Sequence, residues 1–337
     1  MSIRSELRRV VEDRETLSLA EASALMQRIL SGDAPEMELA TLLGAMAGRG
    51  ETAAEIAGFA QLLRAMATPL PLSEDERATI VDTCGTGGDG SGTFNISTAA
   101  ALVAAAAGAR VAKHGNRAIT SRCGSADVLE ALGIPTELDP AASADALRRH
   151  GFCFLLAPAH HPALKGLMPI RRSIGVRTIL HVLGPLLNPA GVRRQVMGVY
   201  AARLVPTVAE AMALLGTTHG IVVHGHQGLD ELSLSGPSEV AIVHDQSVKL
   251  DAVSPEALHL KEAPLNALAG GDAQANAAIL RAIFSGEPGP RRDVVLLNAA
   301  AVLVVAGVVK EMAAGVALAG ETIDSGDVER LIVKLQR

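Results

Sequence analysis

Along the first seventy or so positions the apolar residues recur at helical spacing. Two of these runs follow a capping-box pair, Ser18 with Glu21 and Thr52 with Glu55. In such a pair a hydroxyl and a carboxylate three residues on satisfy each other's free amides. Pro69 and Pro71 then break the pattern and mark a linker. From position 79 the period changes. Short strand-like runs at 79–83, 110–113, 152–156, 195–200 and 220–223 alternate with helical runs at 96–107, 125–132 and 205–214. That order predicts right-handed crossovers and a mainly parallel sheet. A basic, helix-like stretch, LKGLMPIRRSIGVRTILHVLG, interrupts the alternation within 162–189 and is expected to return to the helical part as a cleft wall. The last third is helical again, over 272–284, 291–314 and 325–335. The pattern thus predicts an α/β protein with a small helical domain over 1–70, joined by 162–190, and a larger α/β domain over 75–337.

Composition narrows the class. A chain of 337 residues has ample length for a buried core, and its net charge of −6 disfavours broad binding to nucleic acid or anionic membrane. Any cation-lined site must therefore be local. The most apolar run, 294–309, is shorter than the roughly 20 residues that span a bilayer, contains Asn298, and reads as a buried helix. The opening MSIRSELRRVVEDRE mixes both charges without an apolar core, so no signal peptide is expected. Cys84, Cys123 and Cys153 lack paired or zinc-like spacing, which fits a reducing, cytoplasmic setting.

The candidate chemistry begins in VDTCGTGGDGSGTFNISTAAALVAAAAGARVAKHGNR, positions 81–117. It reads as a strand, a glycine-rich turn, a small-residue helix and a second strand. Gly85, Gly87 and Gly90 have the spacing of a dinucleotide fingerprint, which expects an acidic residue after the second strand. Here Lys113 and His114 stand at that strand end, where a cation attracts a phosphate. No Gly-Lys-Ser/Thr closes the run, so it is not a Walker loop. What remains is phosphate or pyrophosphate binding with a sugar attached. Gly85, Gly87 and Gly88 allow close backbone approach, and 95–98 opens a helix whose free amides favour an oxyanion. Thr93, Ser97 and Thr98 add hydroxyls.

Lys113, Gly115 and Arg117 put two cations around a glycine at the carboxyl end of a parallel strand, the edge where open α/β sheets bind ligands. Thr120, Ser121, Gly124 and Ser125 lead into a second helix start. Farther on, Asp230 and Glu231 follow a glycine turn and suit a hard cation such as Mg²⁺. Arg171, Arg172 and Arg177 each match a carboxylate in shape, although a solvated helix face explains any one of them better. His160 and His161 are adjacent and read as packing or cleft-lining residues. Neither Cys84 nor Cys123 has an evident base partner for a nucleophilic role.

GTGGD (85–89), NIST (95–98), KHGNR (113–117), GSADVLEALG (124–133), GPLLNPA (184–190) and GLDE (228–231) together resemble anthranilate phosphoribosyltransferase over nearly the whole chain, LNAAAVL near Asn298 included. The resemblance implies the fold shared by nucleoside phosphorylases and this type of phosphoribosyltransferase, as a homodimer with its site between the domains. It implies transfer of a phosphoribosyl group from phosphoribosyl pyrophosphate to anthranilate in tryptophan biosynthesis. The donor would be held by Gly85, Gly88, Asp89, Thr93, Asn95, Ile96, Ser97 and Thr98, with Lys113, His114, Gly115, Asn116, Arg117, Ala118, Ile119, Thr120, Ser121 and Ser125. Ser97, Asp230 and Glu231 would hold Mg²⁺, while Gly85, Asn116 and Arg171 would meet anthranilate, Arg171 facing its carboxylate. The family pattern has serine where Thr120 stands and commonly asparagine where His181 stands. The second difference bears on the acceptor. A phosphorylase using phosphate is disfavoured by the intact GTGGD and GLDE, and a non-catalytic nucleic-acid-binding relative by the negative charge. A transferase using another aryl amine stays open as an alternative.

Overall fold

Both expected capping boxes form. In the computed structural model, which describes residues 3–118 and 122–337, the Ser18 hydroxyl accepts from the Glu21 amide and Glu21 accepts from that of Ser18, opening helix Leu19–Leu30. Thr52 and Glu55 do the same for Ala53–Ala65. With Arg4–Val11 and Glu36–Arg49 these helices form a bundle. Glu55 is fully buried within it, where its carboxylate accepts from the Leu17 amide at 3.0 Å and from Arg49 at 2.6 Å. Those partners offset the cost of burying the carboxylate.

Beyond the linker lie seven strands, β1 (Ile80–Gly85), β2 (Arg110–Gly115), β3 (Phe152–Leu156), β4 (Arg194–Gly198), β5 (His219–His224), β6 (Ser238–His244) and β7 (Ser247–Val253). They form one sheet in the order β3-β2-β1-β4-β5-β6-β7. The first five run parallel and the last two antiparallel. β1 starts at Ile80 because Ser73 and Glu76 cap a short helix, Glu74–Thr79, in front of it. The β6–β7 hairpin escapes the sequence reading. Its turn residues Asp245 and Gln246 take φ of 44° and 69° without the glycine that normally signals such a turn. The helix expected over 291–314 is two helices, because Gly307 at φ 78° ends Pro290–Ala306 and Met312–Asp324 begins anew.

Alternation along the strands divides the core. Val81, Val111, Val196, Ile221 and Val223 pack with helices Ile96–Ala106 and Pro290–Ala306. Met197, Val199, Val222 and Ala241 pack with the bundle and with helix Leu204–Leu214. The interrupting segment joins that second core through Leu167, Ile170, Ile179, Val182 and Leu183. From β1 the chain builds β2 and β3 on one side, then crosses to β4 on the other. The reversal leaves a crevice at the carboxyl ends of β1 and β4, the usual ligand position in such sheets.

Candidate active site

The glycine loop leaves β1 directly into that crevice, and the acidic pair arrives there from the loop after β5. Asp230 Oδ2 accepts from the Gly87 amide at 2.7 Å, and the Asp230 amide reaches Asp89 Oδ2 at 3.4 Å. The Ser97 amide, at the start of helix Ile96–Ala106, donates to Glu231 Oε1 at 3.1 Å. Lys113, only 1% exposed at the end of β2, donates to the Thr83 carbonyl at 2.7 Å and to Ser97 Oγ at 3.2 Å. Ser97, Asp230 and Glu231 therefore do converge, beside Lys113 and Asp89. A Cβ on Gly85 would lie 2.2 Å from Asp230 Oδ2, so only glycine lets the carboxylate approach this strand end.

The electrostatics are those of a site short of positive charge. Burial, then Asp89 and Glu231, push the Asp230 carboxyl well above the ordinary carboxylate range. Burial also raises Glu231, against the opposing pull of Lys113 and Ser97. A divalent cation with a preference for oxygen would relieve both. Among the described residues no three His, Cys, Asp or Glu side chains are arranged to hold a metal by themselves. The Asp230–Glu231 pair suits an ion such as Mg²⁺, which takes one or two carboxylates and completes its shell with water and phosphate oxygens.

Around this centre the other expected donor-side residues are disposed unequally. Asn95 Oδ1 accepts from Asn276 at 2.9 Å while its NH₂ reaches the Cys123 carbonyl at 3.3 Å. The Thr93 hydroxyl pairs with Ser91 at 3.3 Å. Gly88 lies on the exposed stretch of the loop with φ of 73°. Gly115 lets Ser125, the first residue of helix Ser125–Ala131, approach, and Asn116 accepts from Ala126 at 3.2 Å. The Ala118 amide donates to Asp127 at 2.9 Å. Ile96 is buried and its amide is taken by Phe94. Arg117 turns outward to Glu130 and Glu137, each at 2.7 Å, and Thr98 is fully buried with its hydroxyl unpartnered. Ile119, Thr120 and Ser121 lie outside the described residues.

On the other wall, Arg171 is half-buried, and burial together with Arg172 lowers its pKa while no carboxylate offsets them. An uncompensated guanidinium of this kind is ready to pair with an incoming carboxylate. His181 is pushed down to about 4 by burial first, then by Arg171 and Arg177, so it stands neutral beside that charge. Arg177 is more than a solvated cation: it donates to the Gly88 carbonyl and lies over the Tyr200 ring at 4.3 Å, joining this wall to the glycine loop. Deeper in, His114 and His161 meet edge-on at 5.3 Å with their Nε2 atoms unpartnered, and burial pushes them down to about 3 and about 4. His160 packs, its Nδ1 2.9 Å from the Thr68 carbonyl.

The sequence reading missed several supports. Asp82 is fully buried on β1 and accepts from the His114 amide at 3.1 Å and from Gln195 at 3.3 Å. A carboxylate amid the apolar residues of a central strand was the available signal. Asn276, 1% exposed, orients Asn95 across 181 residues of sequence and gave no local sign.

Comparisons with known proteins agree with this geometry. The family model "Glycosyl transferase family, helical bundle domain" matches residues 5–67, and "Glycosyl transferase family, a/b domain" matches 77–329. An anthranilate phosphoribosyltransferase of Chloroflexus aurantiacus is 50% identical over 334 residues, covering 98% of this chain and 97% of that protein. The chain belongs to the anthranilate phosphoribosyltransferase family. Another family member, from Geobacter sp., is 47% identical over 98% of both chains. The family's crystal structure from Thermus thermophilus superposes with a TM-score of 0.91 at 43% identity, covering 98% of each chain. The Saccharomyces cerevisiae family member, solved in complex with PRPP and Mg, does so at 0.88 and 29% identity, over 99% of this chain and 96% of that one.

Proposed function

We propose that this chain transfers the 5-phosphoribosyl group of phosphoribosyl pyrophosphate to the amine of anthranilate, releasing pyrophosphate in tryptophan biosynthesis. The observation that carries the reading is the convergence of the glycine loop, Lys113, Ser97 and the Asp230–Glu231 pair at the sheet's switch point. The pyrophosphate lies along the loop from Gly85 to Thr93 and the helix start at 95–98, where backbone amides face it. Asp230, Glu231 and the Ser97 hydroxyl would hold Mg²⁺. An ion held there would supply positive charge to offset that of the pyrophosphate group.

As the anomeric C–O bond breaks, its electron pair leaves with pyrophosphate and the sugar takes on oxocarbenium character. The amine of anthranilate is neutral at pH 7, so its lone pair attacks the same carbon, and the new C–N centre then sheds one proton to solvent. No strong general base is needed, in keeping with histidines whose pKa values burial lowers. Rate enhancement rests on positioning and on stabilising the leaving anion. Arg171 pairs with the acceptor's carboxylate, and Gly85 and Asn116 complete that pocket. Arg177, held between Gly88 and Tyr200, ties the acceptor wall to the donor loop.

The working unit is a homodimer in the cytoplasm. Met37, 82% exposed, and Val11 are exposed apolar side chains of the bundle that such a contact would cover. Among the described residues no helix is long and apolar enough to cross a membrane. The test mixes the purified chain with Mg²⁺, phosphoribosyl pyrophosphate and anthranilate and follows anthranilate fluorescence. Fluorescence should fall only when all are present. Turnover with a different aryl amine but not with anthranilate would keep the donor site and discard the acceptor.

A further inference from the structure

Asn298 stands at 3% exposure in the middle of helix Pro290–Ala306, among positions that are otherwise apolar and buried from Val294 to Leu303. A buried amide in such a helix is costly unless its groups are satisfied. All of them are, and the partners are specific. Asn298 Oδ1 accepts from the Leu232 amide at 3.0 Å, and Nδ2 donates to the Leu232 carbonyl at 3.0 Å and to the Val294 carbonyl at 2.9 Å. Leu232 is the residue after the acidic pair. It lies in irregular backbone between β5 and β6, with Leu229, Leu232, Ser233 and Leu234 fully buried. No strand ladder exists there to occupy its peptide groups, so a side chain must do so.

We propose that Asn298 is a positioning residue for Asp230 and Glu231. Its amide grips Leu232 on both sides, as a neighbouring strand would, and fixes the peptide that follows Glu231. On the opposite side the Asp230 carbonyl rests against Gly198 at the end of β4, where a Cβ would lie 1.5 Å from it. The acidic pair is thus held between a strand end and a helix side chain. Its two contacts with the donor loop, Asp230 to Gly87 and Glu231 to Ser97, depend on that seat. The inference rests on the transferase reading, in which these carboxylates hold the metal of the donor complex.

The test is calorimetric titration of the full chain with Mg²⁺ and phosphoribosyl pyrophosphate, without acceptor, beside thermal melting. Asn298→Leu keeps the branched shape and loses both bonds to Leu232. It should weaken donor binding by ~10–100-fold, the range seen when groups supporting metal ligands are removed, while the KM for anthranilate stays at the wild-type value. Leu303→Ala, also buried on this helix, should lower the melting temperature and leave donor binding unchanged. Should Asn298→Leu fail to fold, Asn298→Gln, whose amide is one methylene out of register, carries the same expectation. Wild-type affinity in a folded Asn298 variant would overturn the inference alone. Absence of Mg²⁺-dependent donor binding by the wild-type chain would overturn the transferase reading and this inference with it.

Discussion

Replacing Gly198 by alanine is the sharpest perturbation of the candidate site, because the added atom would meet the Asp230 backbone first. The new Cβ would lie 1.5 Å from the Asp230 carbonyl oxygen and 2.4 Å from its carbon, where Cβ contacts under 3.0 Å essentially never occur. Both neighbours are backbone, so β4 and the acidic segment must separate by about 1.5 Å in a close-packed interior. A shift of that size carries Asp230 Oδ2 beyond hydrogen-bond reach of the Gly87 amide, now 2.7 Å away. Overpacking of this kind costs ~1–3 kcal/mol of stability, and a misplaced ligand carboxylate weakens metal binding by ~10–100-fold. Activity would be measured against Mg²⁺ concentration, with chemical denaturation in parallel. Gly220→Ala, on the adjacent strand, is the control: its nearest contact is the flexible Met212 methyl at 2.7 Å, so the metal midpoint should stay put. A Gly198→Ala chain with wild-type stability and Mg²⁺ midpoint would refute the reasoning that glycine is required by Asp230.

Arg171→Ala should raise the KM for anthranilate by more than ~10-fold, the effect of losing a charge-assisted pair, and leave that for phosphoribosyl pyrophosphate unchanged; equal effects would remove its role. Asn276→Leu leaves the Asn95 amide with its longer bond to the Cys123 carbonyl, so the donor KM should rise while the acceptor KM does not, as steady-state kinetics would show. His114, His161 and His181 have pKa values lowered from 6.5 to about 3, 4 and 4. The unfolded chain therefore binds more protons below pH 6.5, and stability present above that pH should drain away as pH falls toward 4. Melting temperatures across that range should fall less steeply for His161→Gln; an unchanged slope would show that His161 is not among the groups responsible.

Features written in short-range chemistry were legible in the chain. The boxes at Ser18 and Thr52, the glycines of 85–90 and the cationic end of β2 each need only neighbours within a few positions. Family resemblance then tied the loop to Asp230 and Glu231, which the fold seats 143 and 134 residues from their loop partners Gly87 and Ser97. The supports of the site were hidden for the opposite reason. Asp82 matters through His114 and Gln195, Asn276 through Asn95, and Asn298 through Leu232, contacts separated by 32 to 181 positions. In the sequence Asn298 was visible as a polar interruption that argued against a membrane span and as part of the LNAAAVL stretch, neither of which pointed to Leu232. Arg177 looked interchangeable with Arg171 and Arg172 until its partner Gly88 and the Tyr200 face were known. The β6–β7 hairpin lacked its glycine, and β7 is exposed along most of its length, which removes the alternation that marks a half-buried strand.

The sharing of one core between the bundle helices and the segment around Ile170 to Leu187 reaches into how the chain is made. Leaving the ribosome from its amino terminus, the bundle presents Leu25, Leu42, Met46 and Phe59 long before Leu180, Val182 and Leu183 exist to cover them. More than a hundred residues, including the glycine loop and three strands of the sheet, must be synthesised in between. The helical part is therefore first in synthesis and late in completion. Its last pieces arrive on the segment that carries Arg171 and Arg177, so the acceptor wall comes into being as the bundle closes.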